Sequence, residues 1–377
     1  LPGARLDGGR SSVITISALD ATDGGERMII DFHAHLYPEA YMNAVAGAEG
    51  RYPVGVRTRP DGTRFLWFEG IEYWTYGPPF HDVALRLREM DAAGVDVQAL
   101  SIGPPMVYWA EPDFGLRLCQ TYNDAIAAVT RAHPDRFVAF AALPLQDPAL
   151  ALKELERCAA DLEVRGVGFG TNIAGRHLDD RSLWPVYERI QALDLPVFIH
   201  PISPCGLGNI HDYRLDLTLY FPFDTTVAAA RLVLGGVLEA FPRLQVCLAH
   251  LGGALPYLRE RLDLGWQVAR KFHAQGGAIT KPPSHYLARF YLDNLAYSET
   301  AYSDANLLCA LACVGGDHIV LGSDAPFPVG ELARSVEFIR RCHLLSEKER
   351  EKILGGNAAR LLRLPARTGA QGDGRAR

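Results

Sequence analysis

The sequence lacks both a basic segment and a net positive charge. Its 38 Lys and Arg residues are outnumbered by 44 Asp and Glu residues, which gives a formal net charge of −6. A protein that binds nucleic acid through its phosphates usually carries a basic patch or a basic helix. We therefore expect no nucleic acid among its partners.

Long hydrophobic runs are absent as well. No uninterrupted apolar segment approaches the roughly 20 residues that a bilayer-spanning helix needs. The first residues do not combine a basic segment with a long apolar core, as a secretory signal would. These absences predict a cytoplasmic protein that does not enter a membrane.

The seven cysteines do not form the pattern of a disulfide framework. Their number is odd, and they are scattered, mostly within apolar segments, which is typical of reduced thiols in a cytosolic protein. Cys309 and Cys313 share one face of a predicted helix, but no second pair or neighbouring histidine completes a metal site. Packing in the core is the predicted role of both.

The sequence does contain enough apolar residues, 48% of the chain, to bury a large core. Eight short apolar segments alternate with longer helical patterns, at residues 28–32, 95–102, 137–143, 166–169, 197–200, 246–250, 290–294 and 319–323. Parallel strands that are buried on both faces form continuous apolar runs, and each pair needs a crossover helix. The alternation therefore predicts an α/β protein with a (β/α)₈ TIM barrel.

We expect one barrel domain over residues 28–364, between a poorly ordered leader at 1–27 and a flexible tail at 365–377. Residues 37–79 break the alternation with closely spaced aromatic, Gly and Pro residues. We interpret them as an insertion after the first strand, on the barrel face where active sites form. Two roles stay open for this insertion: a cap or wall of the site, or a surface hairpin without a role in binding.

The strongest local motif is Asp-Phe-His-Ala-His at residues 31–35, directly after an apolar run. In an extended chain, residues i and i+2 point to the same side, so His33 and His35 can aim at one point. Neutral imidazole is the commonest protein ligand for divalent zinc. Two histidines at a barrel rim that only form hydrogen bonds would fit this motif equally well.

Three later strands end in the same kind of residue. His200, His250 and Asp324 each follow an apolar run, in the fifth, sixth and eighth predicted strands. If the barrel closes, the carboxyl ends of these strands open onto the face that carries His33 and His35. A core residue with satisfied hydrogen bonds would explain any one of the five, but all five in register favour a metal site.

Seven motifs together resemble those of the amidohydrolase superfamily, in the branch that contains 2-amino-3-carboxymuconate 6-semialdehyde decarboxylase and the resorcylate-type decarboxylases. They lie at residues 31–35, 89–98, 144–147, 199–201, 250–253, 281–284 and 321–328, and the resemblance extends from about Met28 to Leu364. The family is one of barrel enzymes with a metal centre.

This resemblance implies a single zinc ion, with manganese as the alternative, on His33, His35, His200 and Asp324. It also implies that His250 lies beside a metal-bound water as the acid/base. An acidic residue next to the ion, Asp324 can hold this water by a hydrogen bond as well as ligate. Members with two metals have a carbamylated lysine on the fourth strand, where this sequence has Gly-Val-Gly-Phe-Gly at 166–170. The missing lysine favours one metal.

A carboxylate substrate needs a cation, and Arg261, on the predicted helix that follows His250, is the best candidate. The resemblance implies that an arginine at this spacing reaches the site of a neighbouring subunit, and hence a homodimer. The alternative is an exposed helix arginine that pairs with Glu260 or Asp263.

The second substrate arginine of the family has no clear counterpart, because Trp74 aligns with it. An aromatic residue in its place suggests a substrate with fewer carboxylates or a flatter ring. Met106, Tyr213 and Phe327 follow predicted strands and are candidates to line an aromatic-acid pocket. Packing in the core would explain each of them equally well.

These expectations combine into a metal-dependent, non-oxidative decarboxylase of an aromatic or muconate-like carboxylic acid, a small-molecule substrate. The same metal, water and histidine would suit a hydrolase of a lactone, amide or enol-type substrate, so this alternative stays open. A catalytically silent barrel that serves as a binding protein is the third interpretation, and the complete ligand set argues against it.

Overall fold

The computed structural model describes residues 28–202, 212–272, 278–295, 304–328 and 331–365. The predicted leader at 1–27 and the predicted tail beyond Pro365 lie outside the described residues.

The described chain alternates strands and helices. The strands are β1 (Ile30–His35), β2 (Val54–Thr58), β3 (Arg64–Phe68), β4 (Ile71–Tyr76), β5 (Val97–Ser101), β6 (Phe137–Ala142), β7 (Gly166–Gly170), β8 (Asn172–Ile173), β9 (Arg176–His177), β10 (Val197–His200), β11 (Val246–Leu248), β12 (Tyr291–Asp293) and β13 (Ile319–Val320). The α-helices are α1 (Glu39–Ala46), α2 (Val83–Ala93), α3 (Pro112–Ala132), α4 (Pro148–Asp161), α5 (Trp184–Ala192), α6 (Phe221–Leu234), α7 (Val237–Ala240), α8 (Leu255–Lys271), α9 (Pro283–Leu287), α10 (Asp304–Val314), α11 (Leu332–Arg341), α12 (Glu347–Glu351) and α13 (Asn357–Leu362).

The central sheet has eight parallel strands in the order β1-β5-β6-β7-β10-β11-β12-β13. Each of the eight predicted segments supplies one of them, so the TIM barrel is confirmed. The first and last strands meet through Phe32 N, which donates to Leu321 O (2.8 Å), and His35 N, which donates to Ala325 O (2.7 Å). These bonds close the barrel next to the predicted site.

Several helices begin and end at residues that satisfy their terminal backbone groups. Asp82 caps α2 by accepting from Leu85 N, and Asp147 caps α4 in the same way. Gly94 ends α2 in the left-handed region at φ 69°, which glycine adopts without steric cost. These local signals place each crossover helix between two strands.

The interior of the barrel below the polar strand ends is filled by aromatic rings. Phe32 packs edge-on against Phe140 and Phe198, with ring centroids 5.2 and 5.8 Å apart. A Cβ on Gly166 of β7 would lie 2.7 Å from the Phe140 ring, so the glycine makes room for this ring. The ring of His33 rests on Phe198 at 4.8 Å, and the aromatic layer thus forms the floor under the site.

The predicted insertion at 37–79 folds as helix α1 and an antiparallel sheet in the order β2-β3-β4. Two of its side chains attach it to the loop after β5: Tyr37 Oη and Trp74 Nε1 both donate to Pro104 O, at 3.0 and 3.2 Å. Their rings pack against each other at 4.5 Å. The insertion therefore lies against the carboxyl end of the barrel.

The six cysteines among the described residues are free, and the seventh, Cys205, lies outside them. Cys313 is buried, in agreement with the predicted packing role. One described helix, Asp216–Leu234, is long and apolar enough to cross a membrane by length and composition. Half of this stretch is buried within the protein, as in the core helix of a soluble protein, so it is weak support for a membrane segment.

Candidate active site

The five residues singled out at the strand ends come together at the carboxyl face of the barrel. His33 and His35 lie in β1 and His200 ends β10, while His250 and Asp324 follow β11 and β13. All five are buried. The distances to Asp324 Oδ1 are 3.2 Å from His33 Nε2, 3.0 Å from His35 Nε2 and 3.7 Å from His200 Nε2. His250 Nε2 lies 3.5 Å from the other oxygen, Asp324 Oδ2.

The hydrogen bonds of the imidazoles determine which ring nitrogen carries the proton. Two Nδ1 atoms face oxygens that can only accept: His33 faces Asp293 Oδ2 at 2.6 Å and His200 faces Pro201 O at 2.7 Å. The Nδ1 of His35 lies 3.1 Å from Ser101 Oγ and 3.3 Å from Ser101 O, and because this hydroxyl donates to Ala34 O it accepts from the imidazole. Each Nδ1 therefore donates, and in a neutral ring the Nε2 atom then presents a lone pair.

With all three rings neutral, three Nε2 lone pairs and a carboxylate oxygen thus converge on one point. His200 Nε2 and Asp324 Oδ1 are buried and have no hydrogen-bond partner among the described residues, which is costly unless a cation fills the space. Spacings of 3.0 to 3.7 Å suit neighbouring ligands around an ion with bonds of roughly 2.0–2.1 Å. The donor set therefore fits a divalent metal ion.

His250 also belongs to this cluster. The ligand atoms of His33, His200, His250 and Asp324 all lie within 4.8 Å of one another. The sequence predicts His250 beside the ion rather than on it, and its distance of 3.5 Å to Asp324 is compatible with both positions.

The carboxylates of Asp324 and Asp293 favour a positive charge among the imidazoles. Burial opposes protonation of His33, but Asp324 and the bond to Asp293 outweigh it and raise the pKa of His33 to about 10. Burial lowers the pKa of His35 to about 3 and that of His250 to about 4. Burial also disfavours ionised Asp324, but His33 and the other imidazoles hold the pKa of this carboxyl well below its usual range. Without an ion His33 is therefore protonated at pH 7 and pairs with Asp324. A metal ion would displace this proton, because an anionic carboxylate and neutral imidazoles are the protonation states that ligate a metal.

A buried carboxylate behind the site fixes the strands that carry the ligands. Asp31 Oδ2 accepts from Ser323 Oγ (2.6 Å) and Gln98 Nε2 (2.8 Å), and its Oδ1 accepts from Ser323 N (3.0 Å). Burial raises the pKa of Asp31 to about 6. Because Ser323 precedes Asp324, these bonds orient the carboxylate ligand relative to β1. Asp31 is the first residue of the motif at 31–35, but no role was predicted for it.

Two further supporting residues were not predicted. Asp293 accepts from His33 Nδ1 and also from Leu251 N at 3.2 Å, so it links His33 to the backbone beside His250. Arg86 is buried and donates through Nη2 to His35 O at 3.1 Å. A strand-end carboxylate is a recognisable signal for Asp293, whereas Arg86 lies among charged helix residues that look exposed.

Two of the site residues have an unusual backbone conformation. His250 and Asp324 have φ values of 57° and 56°, in the left-handed region that non-glycine residues seldom adopt. Such conformations persist where the surrounding structure enforces them, often at functional sites. Here they place both side chains at the mouth of the barrel directly after their strands.

A cavity of about 380 Å³ opens above the cluster, with His200 and Asp324 in its lining. Its aromatic walls are Trp74, Phe80 and Phe327. Trp74 stacks on Phe80 at 4.6 Å and stands nearly perpendicular to Phe327 at 5.6 Å. Since Trp74 belongs to the insertion, the insertion forms a wall of the cavity. A planar ring is the shape that such walls accommodate.

The other predicted substrate residues lie elsewhere. Met106 is buried in the core, and its carbonyl oxygen accepts from Tyr41 Oη at 2.9 Å. Tyr213 is 92% exposed, because the chain turns there at φ 57° and the ring points to solvent. Arg261 is exposed on α8. None of the three lines the cavity, whereas Arg214, which was not predicted, does.

Comparison with known proteins gives a consistent result. The family model described as amidohydrolase matches residues 30–364. The chain is 33% identical over 340 residues to 2-amino-3-carboxymuconate-6-semialdehyde decarboxylase of Dictyostelium discoideum, covering 89% of this chain and 91% of the relative.

Two solved structures extend the comparison. The 5-carboxyvanillate decarboxylase of Sphingomonas paucimobilis aligns with a TM-score of 0.77 at 28% identity, over 90% of this chain and 99% of the other. A dihydroxybenzoic acid decarboxylase from a Polaromonas species, with bound manganese and the inhibitor 2-nitroresorcinol, aligns with a TM-score of 0.72 at 26% identity, over 90% and 98% of the two chains.

The segment directly after β13 approaches the candidate metal ligands closely, and this contact generates a prediction. A Cβ on Gly322 would lie 2.8 Å from Asp293 Cβ and 2.9 Å from His33 Cβ, so Gly322→Ala should push His33 away from the other ligands. We expect metal affinity to fall roughly 10- to 100-fold, measured by competition with a chromogenic chelator. Gly316→Ala is the control, because its nearest neighbouring atom would be 3.5 Å away. Equal affinity in both variants would contradict the expectation.

Proposed function

The chain belongs to the amidohydrolase family, in the branch that contains 2-amino-3-carboxymuconate 6-semialdehyde decarboxylase, and we propose that it is a metal-dependent, non-oxidative decarboxylase of an aromatic or muconate-like carboxylic acid. The observation that carries this proposal is the convergence of three imidazole Nε2 atoms on a buried carboxylate at the floor of an aromatic-walled cavity.

The proposed ligands are His33, His35, His200 and Asp324, and the proposed ion is a single zinc. Manganese is the alternative, because the Polaromonas relative holds manganese. No lysine stands in β7 (Gly166–Gly170) to bridge two ions. A divalent ion held by these residues would lower the pKa of a coordinated water to about 7 or polarise a substrate oxygen.

His250 is the proposed acid/base. Burial keeps its imidazole neutral at pH 7, so its Nε2 can accept a proton from a hydroxyl or amino group ortho to the substrate carboxylate. The same nitrogen then returns the proton to the carbon that bears the carboxylate. The bond from this carbon to the carboxylate breaks, its electron pair restores the conjugated ring, and carbon dioxide leaves. Asp324 Oδ2, 3.5 Å from Nε2, stabilises the transient imidazolium.

The cavity favours this chemistry over hydrolysis through its walls. Trp74, Phe80 and Phe327 suit a flat ring, and the relatives compared above carry decarboxylase names. A hydrolase that acts on a lactone, an amide or an enol-type substrate would use the same metal and histidine, so it is the second candidate. The complete donor set disfavours a silent barrel.

We further propose that the enzyme is a cytoplasmic homodimer in which Arg261 enters the partner's site. Arg261 is exposed on α8, and the two acids that were its alternative partners have other contacts, Glu260 with Arg259 and Asp263 with Ser284 N. Tyr257, Leu264 and Val268 lie on the same helical face and are 82%, 60% and 47% exposed. An apolar stripe around the exposed arginine is suited to burial against a second copy of the chain.

The decarboxylase proposal is tested with two panels of compounds. We expect protein loaded with zinc or manganese to release carbon dioxide from some ortho-hydroxy or ortho-amino aromatic carboxylates, measured with a coupled carbon dioxide assay. Lactones and amides, followed by pH-stat titration, should remain intact. Turnover of the second panel alone would replace the decarboxylase by the hydrolase.

The role of His250 is tested by His250→Ala. We expect the variant to keep its metal and to lose at least about 100-fold in turnover, because general acid–base catalysis contributes roughly 10²- to 10⁴-fold. Metal content is measured by plasma mass spectrometry, with Asp324→Ala as the variant that should lose the ion. Loss of metal from His250→Ala would show that His250 is a ligand instead.

The shared site is tested by coexpressing Arg261→Ala with Asp324→Ala. Each variant alone should be nearly inactive, whereas random pairing restores one intact site in each mixed dimer, or about a quarter of the parent activity. Placing both substitutions in one chain and coexpressing it with Asp324→Ala serves as the control, because no intact site can form. Activity at the control level in the mixed sample would exclude the exchange of Arg261.

A further inference from the structure

The cavity above the metal cluster has a charged residue at its mouth. Arg214 lines the cavity together with His200 and Asp324, and among the described residues it is the one Lys or Arg that does so. The side chains of His200 and Asp324 are 2% and 3% exposed, while that of Arg214 is 59% exposed. The cavity therefore has a polar floor that would hold the metal and a cationic group near solvent.

The guanidinium of Arg214 has an acid on one side. Its Nε lies 3.4 Å from Asp216 Oδ1, and the Asp216 side chain is largely buried at 11% exposure, whereas that of Arg214 is 59% exposed. The ion pair thus lies on the Nε side of an exposed guanidinium at the cavity mouth, and a fork of two N–H groups matches the two oxygens of a carboxylate.

The backbone supports this placement. Tyr213 and Arg214 are consecutive non-glycine residues in the left-handed region, at φ 57° and 58°. This turn leads directly into the helical segment that begins at Asp216. The turn exposes Tyr213 to solvent and brings Arg214 to the cavity. Two unfavourable backbone conformations are therefore maintained at the point where the guanidinium reaches the cavity.

Among the described lining residues, the wall opposite Arg214 contains no Lys or Arg. Trp74, Phe80 and Phe327 form it, and Glu72 on the same rim is paired with Arg59. Apart from the floor that would hold the metal, a ligand ring between these aromatic residues would meet a positive charge of the described lining in one direction. That direction is toward Arg214.

We propose that Arg214 binds a second carboxylate of the substrate, one that stays on the product, so that the preferred substrates are aromatic dicarboxylic acids. This inference rests on the proposed function for the identity of the site but concerns recognition rather than chemistry. Arg214 thus determines specificity at the mouth of the cavity, while the reacting carboxylate lies at the floor.

Binding of unreactive acids tests the proposal without turnover. Benzoate, isophthalate and terephthalate lack the ortho substituent and differ by one carboxylate, placed meta or para. In zinc-loaded protein we expect at least one dicarboxylate to bind about tenfold more tightly than benzoate, as measured by calorimetry. Arg214→Gln should remove this preference and leave benzoate affinity unchanged.

Two further variants sharpen the result. Arg214→Lys keeps the charge without the fork, so it should retain part of the preference. Arg243→Gln removes an exposed arginine outside the cavity lining and should leave the preference intact. Equal affinity for all three acids in the parent protein, or a preference that survives Arg214→Gln, overturns the proposal. Failure of the decarboxylase proposal is distinguishable, because it appears as absent carbon dioxide release while the binding preference remains.

Discussion

The organisation of this protein depends on the convergence of acceptors without donors. Three imidazoles donate their Nδ1 protons to oxygens behind them, so in the neutral rings the Nε2 lone pairs face Asp324 at the buried floor of the cavity. Without a metal ion, or the proton that His33 binds with its pKa raised to about 10, this arrangement would be repulsive as well as desolvated. The fold therefore holds together a cluster of buried acceptors whose mutual repulsion a bound metal ion would offset.

The support for this convergence comes from outside the ligand set. Asp31 connects β1 to the backbone and hydroxyl of Ser323, and Asp293 connects His33 to the turn beside His250. Both carboxylates are buried, and the hydrogen bonds that they accept favour their ionised form, which opposes the rise in pKa that burial causes. The hydrogen bonds that close the barrel also position the metal site, because the bonds that join β1 to the segment after β13 orient Asp324.

The strands and the five strand-end residues could be predicted from the sequence because each polar group directly follows a continuous apolar run. Asp293 also ends a strand, but the predicted segment extended to residue 294, so this carboxylate looked like part of the strand interior. Arg86 could not be predicted, since burial of its helix face depends on how α2 packs against the barrel. Met106 and Tyr213 follow strands as expected, yet loop backbone angles, which no periodicity specifies, turn them away from the cavity.

The same distinction explains why the reaction is easier to infer than the substrate. Metal ligands must occupy strand ends, where backbone hydrogen bonds fix their positions to within a fraction of an ångström, and sequence patterns report strand ends well. Substrate contacts come from the insertion and from the turn at Arg214, whose geometry depends on long-range packing. Among the described residues the aromatic wall built around Trp74 carries no cation, so a charge that selects among carboxylic acids would come from the opposite side of the cavity or from a second subunit.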